Sequence, residues 1–203
     1  MSKSKKLIVA ITGGIGSGKS TFANFLGGQG HPIILADDIS KEILATDPDV
    51  RKEVITEFGA ESYQGSEINK KYLADRIFSE SDKLKKINSI LHPRVRKRIE
   101  SISQEFFKTK NIVFVEAALI FESKIEIMYD FVVLIIADKE LRMKRSTQAN
   151  KISEQDFNKR NNNQLDDDVK KKKADFVFTN NGSKDELKQK AKLLSVILKT
   201  YLK

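Results

Sequence analysis

Five short apolar runs punctuate a 203-residue chain that is otherwise mostly polar: Leu7–Ile11, Pro32–Ala36, Ile112–Val115, Phe131–Ala137 and Asp175–Phe178. Their hydrophobicity is continuous rather than alternating, which is what strands of a parallel sheet covered on both faces require. Between them, apolar positions recur at helical spacing over 21–28, 38–45, 48–58, 69–78, 80–90, 92–108, 138–149 and 184–202. Strand and helix therefore alternate, and the pattern predicts a three-layer α/β fold with a parallel five-stranded sheet and helices on both faces.

Two intervals break that rhythm. Between Ala36 and Ile112 the pattern is helical with no convincing strand. The stretch is too long for a simple crossover, so a helical insertion is expected over the carboxyl edge of the sheet, where ligands bind in this architecture. The second, Thr147 to Lys173, carries Asn161-Asn162-Asn163, Asp166-Asp167-Asp168 and Lys170-Lys171-Lys172-Lys173. It reads as a mobile, solvated lid, or more plainly as a pair of wet surface helices. The expected layout is one domain over 1–203. Its core is 1–37 with 109–138 and 174–203, a helical insertion covers 38–108, and the lid-like polar segment covers 139–173.

Composition narrows the setting. Hydrophobic residues at 39% and charged residues at 32% describe an ordinary globular chain. The absence of Cys excludes disulfides and thiolate metal sites and suits a reducing cytoplasm. The first apolar run is five residues long before Thr12 and the glycines that begin at Gly13, which reads as too short for a signal peptide or a membrane span. A net charge of +9 is compatible with nucleic acid or with small, strongly anionic substrates. There is no Trp and the lysines are not interleaved with aromatics as a stacking platform would need, so small polyanions are expected and nucleic acid is not.

The strongest chemical signal follows the first run. Gly13-Gly14-Ile15-Gly16-Ser17-Gly18-Lys19-Ser20 fills the pattern G-x-x-x-x-G-K-[ST], between a strand and a helix that opens at Thr21. Backbone N–H groups of Gly14, Ile15, Gly16, Ser17, Gly18, Lys19, Ser20 and Thr21 would cradle nucleotide phosphates. Lys19 would reach the β- and γ-phosphates of ATP, and the Ser20 hydroxyl would hold Mg²⁺.

Other candidates lie at strand ends. Asp37 and Asp38 close the second run, and one can engage an acceptor hydroxyl while the other caps the next helix; Asp37 is assigned to the crevice and Asp38 to the cap or first turn. Glu116 ends the third run and reads either as a second carboxylate on the metal side or as the partner of a nearby Lys. Arg142, Lys144 and Arg145 follow the fourth run. Arg145, nearest the polar stretch, is the foremost candidate to clamp the transferring phosphoryl group. His92-Pro93 reads as a helix start.

Taken in order, these blocks resemble the dephospho-coenzyme A kinases almost from end to end. The matching residues are Ile11 to Thr21, Ala36-Asp37, Gly65-Ser66-Glu67-Ile68 through Leu73 to Arg76-Ile77-Phe78, and Leu91-His92-Pro93-Arg94-Val95. They continue with Leu119-Ile120-Phe121-Glu122, Lys144-Arg145, Arg160 with Gln164, Ala174-Asp175 and Asn180-Asn181-Gly182. The resemblance implies a phosphate-loop kinase fold and transfer of the ATP γ-phosphate, with Mg²⁺, to the ribose 3′-hydroxyl of dephospho-CoA. It implies that Asp37 engages that hydroxyl, that Arg76, His92 and Pro93 lie in the substrate region, and that Asn180 and Gly182 flank the adenine. Three positions depart from the family's pattern: Leu35 replaces its first acid, Ala118 its proline, and Ala149 a second lid arginine. The alternatives are another small-molecule phosphate-loop kinase, for a nucleoside or sugar acid, or a nucleotide-binding homologue with impaired catalysis.

Overall fold

The structure, a computed structural model, describes residues 5–79, 81–150 and 152–202. Chain order is β1 (Leu7–Gly13), α1 (Lys19–Gly27), β2 (Ile33–Leu35), α2 (Ala36–Thr46), α3 (Pro48–Phe58), β3 (Tyr63–Gln64), β4 (Glu67–Ile68), α4 (Lys70–Ser79) and α5 (Ser81–Phe106). It continues with β5 (Ile112–Glu116), β6 (Phe131–Ile136), α6 (Lys139–Asn150), α7 (Glu154–Asn162), α8 (Asp167–Lys171), β7 (Phe176–Thr179) and α9 (Lys184–Thr200). By internal contacts the chain separates into two compact units, Met1–Leu35 with Ser103–Lys203, and Ala36–Ile102.

The first unit holds a five-stranded sheet in the order β2-β5-β1-β6-β7, every pair parallel. β1 is central, with Ile11 opposite Glu116 on one side and Val133 on the other. Leu7, Val9 and Ile11 of β1 pack with Phe22 and Leu26 of α1, Phe114 of β5 and Leu187, Leu194 and Leu198 of α9. Continuous apolar runs became strands because helices cover the sheet and leave no wet face for polar alternation. α9 starts on a capping box, Ser183 with Glu186, which satisfies two of the orphan N–H groups of its first turn.

The second unit is built from α2 to α5 around Val50, Val54, Phe58, Tyr63, Leu73, Ile87, Ile90 and Leu91. α3 is fixed at its start by Asp47, whose side chain accepts from the N–H groups of Asp49 and Val50, with Pro48 in the first turn.

Three expectations are corrected. The helices expected at 80–90 and 92–108 form one element, α5, with Pro93 inside it, so His92-Pro93 is not a helix start. An interior proline costs about 3 kcal/mol. The burial of Ile87, Ile90, Leu91 and Ile99 along that helix outweighs it. The interval expected to lack strands contains the two-residue hairpin β3–β4, turned at Gly65 with φ of 59°. Finally, the polar stretch is not uniformly solvated: it folds into α7 and α8, capped by Ser153 and Asp166, and buries Phe157 and Lys170.

Both histidines have pKa values below their ordinary 6.5, His31 through burial and then the charges of Lys199 and Lys110, His92 through burial alone. The unfolded chain therefore takes up protons near 6.5 that the folded chain refuses. Their contribution to stability is complete above 6.5 and is lost as pH falls through the folded-state pKa values. The melting temperature is expected to fall between about pH 7.5 and 5.5, and less so in His31→Gln. An unaltered slope in that variant contradicts the assignment.

Candidate active site

β1 runs out at Gly13 into a loop that returns to the first turn of α1, at the carboxyl edge of the central strand. The loop closes on itself: the Ser17 N–H donates to the Gly14 carbonyl at 3.1 Å, and Lys19 Nζ donates to the same carbonyl at 3.4 Å. Gly18, the N-cap of α1, has φ of 97°, and a Cβ there would stand 2.3 Å from Asn180 Nδ2. Only glycine meets both conditions. No acidic residue occupies the first turn of α1, so its positive dipole end is available to an anion.

Neighbouring elements hold this loop from several sides. Asn180, just beyond β7, donates its Nδ2 to the Ser17 carbonyl at 2.8 Å, while its own carbonyl accepts from Arg145 Nη1 at 2.8 Å. Gln164, after α7, accepts the Ile15 N–H at 3.0 Å. Gly182 lies against the Glu186 carboxylate of the α9 capping box, 2.1 Å from where a Cβ would sit. The structure thus brings Ser17, Asn180 and Arg145 into one network.

On the β5 side, the Ser20 hydroxyl donates to Glu116 Oε1 at 3.0 Å. A hydroxyl and a carboxylate side by side beside a phosphate loop are the hard oxygen donors that suit Mg²⁺. Both residues read from sequence as metal-side groups are therefore adjacent. Among the described residues no cluster of three or more His, Cys, Asp or Glu side chains is placed to hold a metal by itself. A cation here would draw its remaining oxygens from phosphate and water.

The base of the polar stretch is pinned by an ion pair. Lys170 Nζ lies 3.0 Å from Glu122 Oε1, with side-chain exposures of 1% and 13%, and the Leu165 N–H donates to the same oxygen at 2.9 Å. Removing one partner of such a pair leaves an uncompensated charge. Lys170→Ala is expected to lower unfolding free energy by about 3 kcal/mol, the low end for buried pairs because Glu122 keeps some solvent contact. Denaturant titration checks this, and a loss below about 0.5 kcal/mol would place Lys170 among ordinary surface lysines.

The remaining candidates belong to the second unit. Asp37 and Asp38 both occupy the first turn of α2, and Asp38 is spent on an exposed pair with Lys41 at 2.8 Å. Arg76 donates Nε to the Tyr72 hydroxyl at 3.2 Å and stacks over that ring at 5.3 Å. Tyr72 lines an open cleft of about 560 Å³ with Ala60, Glu61, Tyr63, Gln64 and Asn69. His92 is half-buried and Pro93 follows it in mid-helix.

The model of the dephospho-CoA kinase family matches residues 7–186. The chain belongs to the dephospho-CoA kinase family. The dephospho-CoA kinase of Bacteroides fragilis is 34% identical over 189 residues, 93% of this chain and 92% of its own. That of Staphylococcus aureus is 34% identical over 183 residues, 90% and 88% of the two chains. Among solved structures, the dephospho-CoA kinase from Campylobacter jejuni superposes with a TM-score of 0.68 at 29% identity, covering 96% of each chain. A shikimate kinase from Acinetobacter baumannii at 17% identity and a TM-score of 0.58 shares the phosphate-loop kinase fold alone. Family membership disfavours the nucleoside or sugar-acid alternative.

Three residues carry contacts here that the linear pattern did not single out, two of them, Arg142 and Gln164, against the phosphate loop. Arg142 is buried against the loop, although the sequence offered it only as one of the guanidinium groups after the fourth run, ranked behind Arg145 and equally readable as a surface residue at i, i+3 spacing. Gln164 and Glu122 stood within matched blocks without a role, since nothing in a linear pattern says that an amide will accept from Ile15 or a carboxylate from Leu165.

Proposed function

We propose that this chain transfers the γ-phosphate of ATP to the ribose 3′-hydroxyl of dephospho-CoA, giving coenzyme A and ADP, the last step of coenzyme A biosynthesis. The observation that carries the reading is a family match over residues 7–186 on a chain whose phosphate loop, Ser20–Glu116 pair and Asn180–Arg145 network lie together in one unit. The family of small-molecule kinases supplies ATP and dephospho-CoA as substrates.

The residues divide the work as follows. The loop N–H groups between Gly14 and Thr21, apart from those of Ile15 and Ser17 that donate to Gln164 and the Gly14 carbonyl, bind the triphosphate with the α1 dipole, and Lys19 neutralises charge on its β- and γ-oxygens. Ser20 and Glu116 would hold Mg²⁺, which when bound would supply positive charge that offsets the phosphate charge. Asp37 takes the proton of the 3′-hydroxyl as its oxygen forms a bond to the γ-phosphorus. The bond from that phosphorus to the β,γ-bridging oxygen breaks, and its electron pair leaves with ADP. Arg145 stabilises the charge spread over the transferring group, while Asn180 and Gly182 flank the adenine. In the second unit Arg76, His92 and Pro93 hold dephospho-CoA, with His92 kept neutral at neutral pH by its depressed pKa.

The chain works in the cytoplasm on small molecules, without nucleic acid or membrane. Its lack of Cys supports that setting, and among the described residues no helix is long and apolar enough to cross a membrane. A coupled ADP-release assay over a substrate panel tests the reading. ADP release stimulated by dephospho-CoA, and not by nucleosides or shikimate, is expected; stimulation by a nucleoside alone would overturn it.

A further inference from the structure

Among the described residues of the first unit, Arg142 is a buried cation with no part in the chemistry of transfer. It is 8% exposed, in the first turn of α6, and its partners are neutral: Nε donates to the Ala137 carbonyl at 3.1 Å and Nη1 to Asn161 Oδ1 of α7 at 2.9 Å. Among the described residues no carboxylate lies within ion-pairing distance of it. A guanidinium taken out of water without a counter-charge is costly, and two neutral acceptors offset only part of that cost.

Its location says which anion would complete the set. A Cβ on Gly14 would stand 2.4 Å from Arg142 Nη1, so the guanidinium lies directly on the phosphate loop and only a glycine admits it. The Arg142 carbonyl lies as closely against Gly16, 2.2 Å from where its Cβ would be. Lys19 Nζ rests on the carbonyl of that same Gly14 at 3.4 Å. Because the loop lysine serves the β- and γ-phosphates, Gly14 marks the end of the loop where the terminal phosphate arrives. Arg142 therefore presents a second cation at that end, and ties it through Asn161 to the polar α6–α7 segment.

We propose that Arg142 is a ligand of the terminal phosphate of a bound nucleoside triphosphate, so that the α6–α7 segment distinguishes triphosphate from diphosphate through this side chain. The inference rests on the kinase reading for its donor. The guanidinium fork contacts an oxygen of the γ-phosphoryl group, an interaction that ADP cannot offer. The burial that makes the unpaired cation costly in the free protein makes this contact specific for the nucleotide that carries the extra charge.

The test compares binding of a non-hydrolysable ATP analogue and of ADP, both with Mg²⁺, by calorimetry on the full chain and on Arg142→Gln. A charge-assisted contact is worth about 1.5–3 kcal/mol, so the variant is expected to bind the triphosphate roughly 10- to 100-fold more weakly. ADP affinity is expected to stay within about twofold of the parent. Arg142→Lys, which keeps the charge and loses the fork, is expected to fall between the two for the triphosphate alone, and it carries the same comparison if the Gln variant does not fold. Equal losses for ATP analogue and ADP would make Arg142 a brace for the loop and overturn the inference, as would no loss for either. A parent chain that discriminates the nucleotides as expected but fails to phosphorylate dephospho-CoA would strike the kinase reading and leave this one standing.

Discussion

Asp37→Asn lowers turnover by about 10²–10⁴-fold and leaves ATP affinity near the parent value. The asparagine keeps an acceptor oxygen for the substrate hydroxyl but cannot take its proton, so orientation survives and proton transfer does not. The neighbouring acid is the natural control. Asp38 is committed to Lys41 on the surface of α2, and Asp38→Asn should change turnover by less than about twofold. Steady-state kinetics with calorimetric ATP binding separates these outcomes. Unchanged turnover in Asp37→Asn would remove Asp37 from the mechanism, and equal losses in the two variants would point to the helix terminus rather than to a base.

Lys19→Ala is the second large effect, about 10³-fold in turnover. The lysine is a point charge on the β- and γ-phosphates, and no other loop side chain can replace it, because the remaining donors, backbone N–H groups and hydroxyls, carry no charge. Its resting place on the Gly14 carbonyl shows the ammonium already folded back over the loop. The loss should appear mainly in kcat, because charge accumulates on the bridging oxygen in the transition state. A variant that loses only nucleotide affinity, with saturating turnover intact, would restrict Lys19 to ground-state binding.

The scaffold and loop were legible for a simple reason: strands covered on both faces must be uniformly apolar, and a phosphate loop needs its glycines at fixed offsets. Ile112–Val115 and Phe131–Ala137 match β5 and β6 to within a residue. Local signals failed where tertiary packing decided the outcome. Pro93 looked like a helix start because proline favours first turns, yet the apolar stripe from Ile87 to Ile99 carries α5 straight through it. Lys170 looked solvated within a run of four lysines, but helix geometry turns it alone toward Glu122, 48 positions earlier in the chain. The β3–β4 hairpin escaped notice because two residues per strand are too few to show a period. Candidate site residues were readable as types at strand ends. Which of them touch, such as Ser20 with Glu116 or Arg145 with the Asn180 carbonyl, depends on strand order, which no linear spacing encodes.

The proposed acceptor is the 3′-hydroxyl of dephospho-CoA. The most direct measurement is ADP release by the purified chain with ATP, Mg²⁺ and either dephospho-CoA or its 3′-deoxy analogue. Release is expected with dephospho-CoA, with coenzyme A formed in equal amount, and only the background rate with the deoxy compound. Equal release with both acceptors, or no coenzyme A from the first, would contradict it.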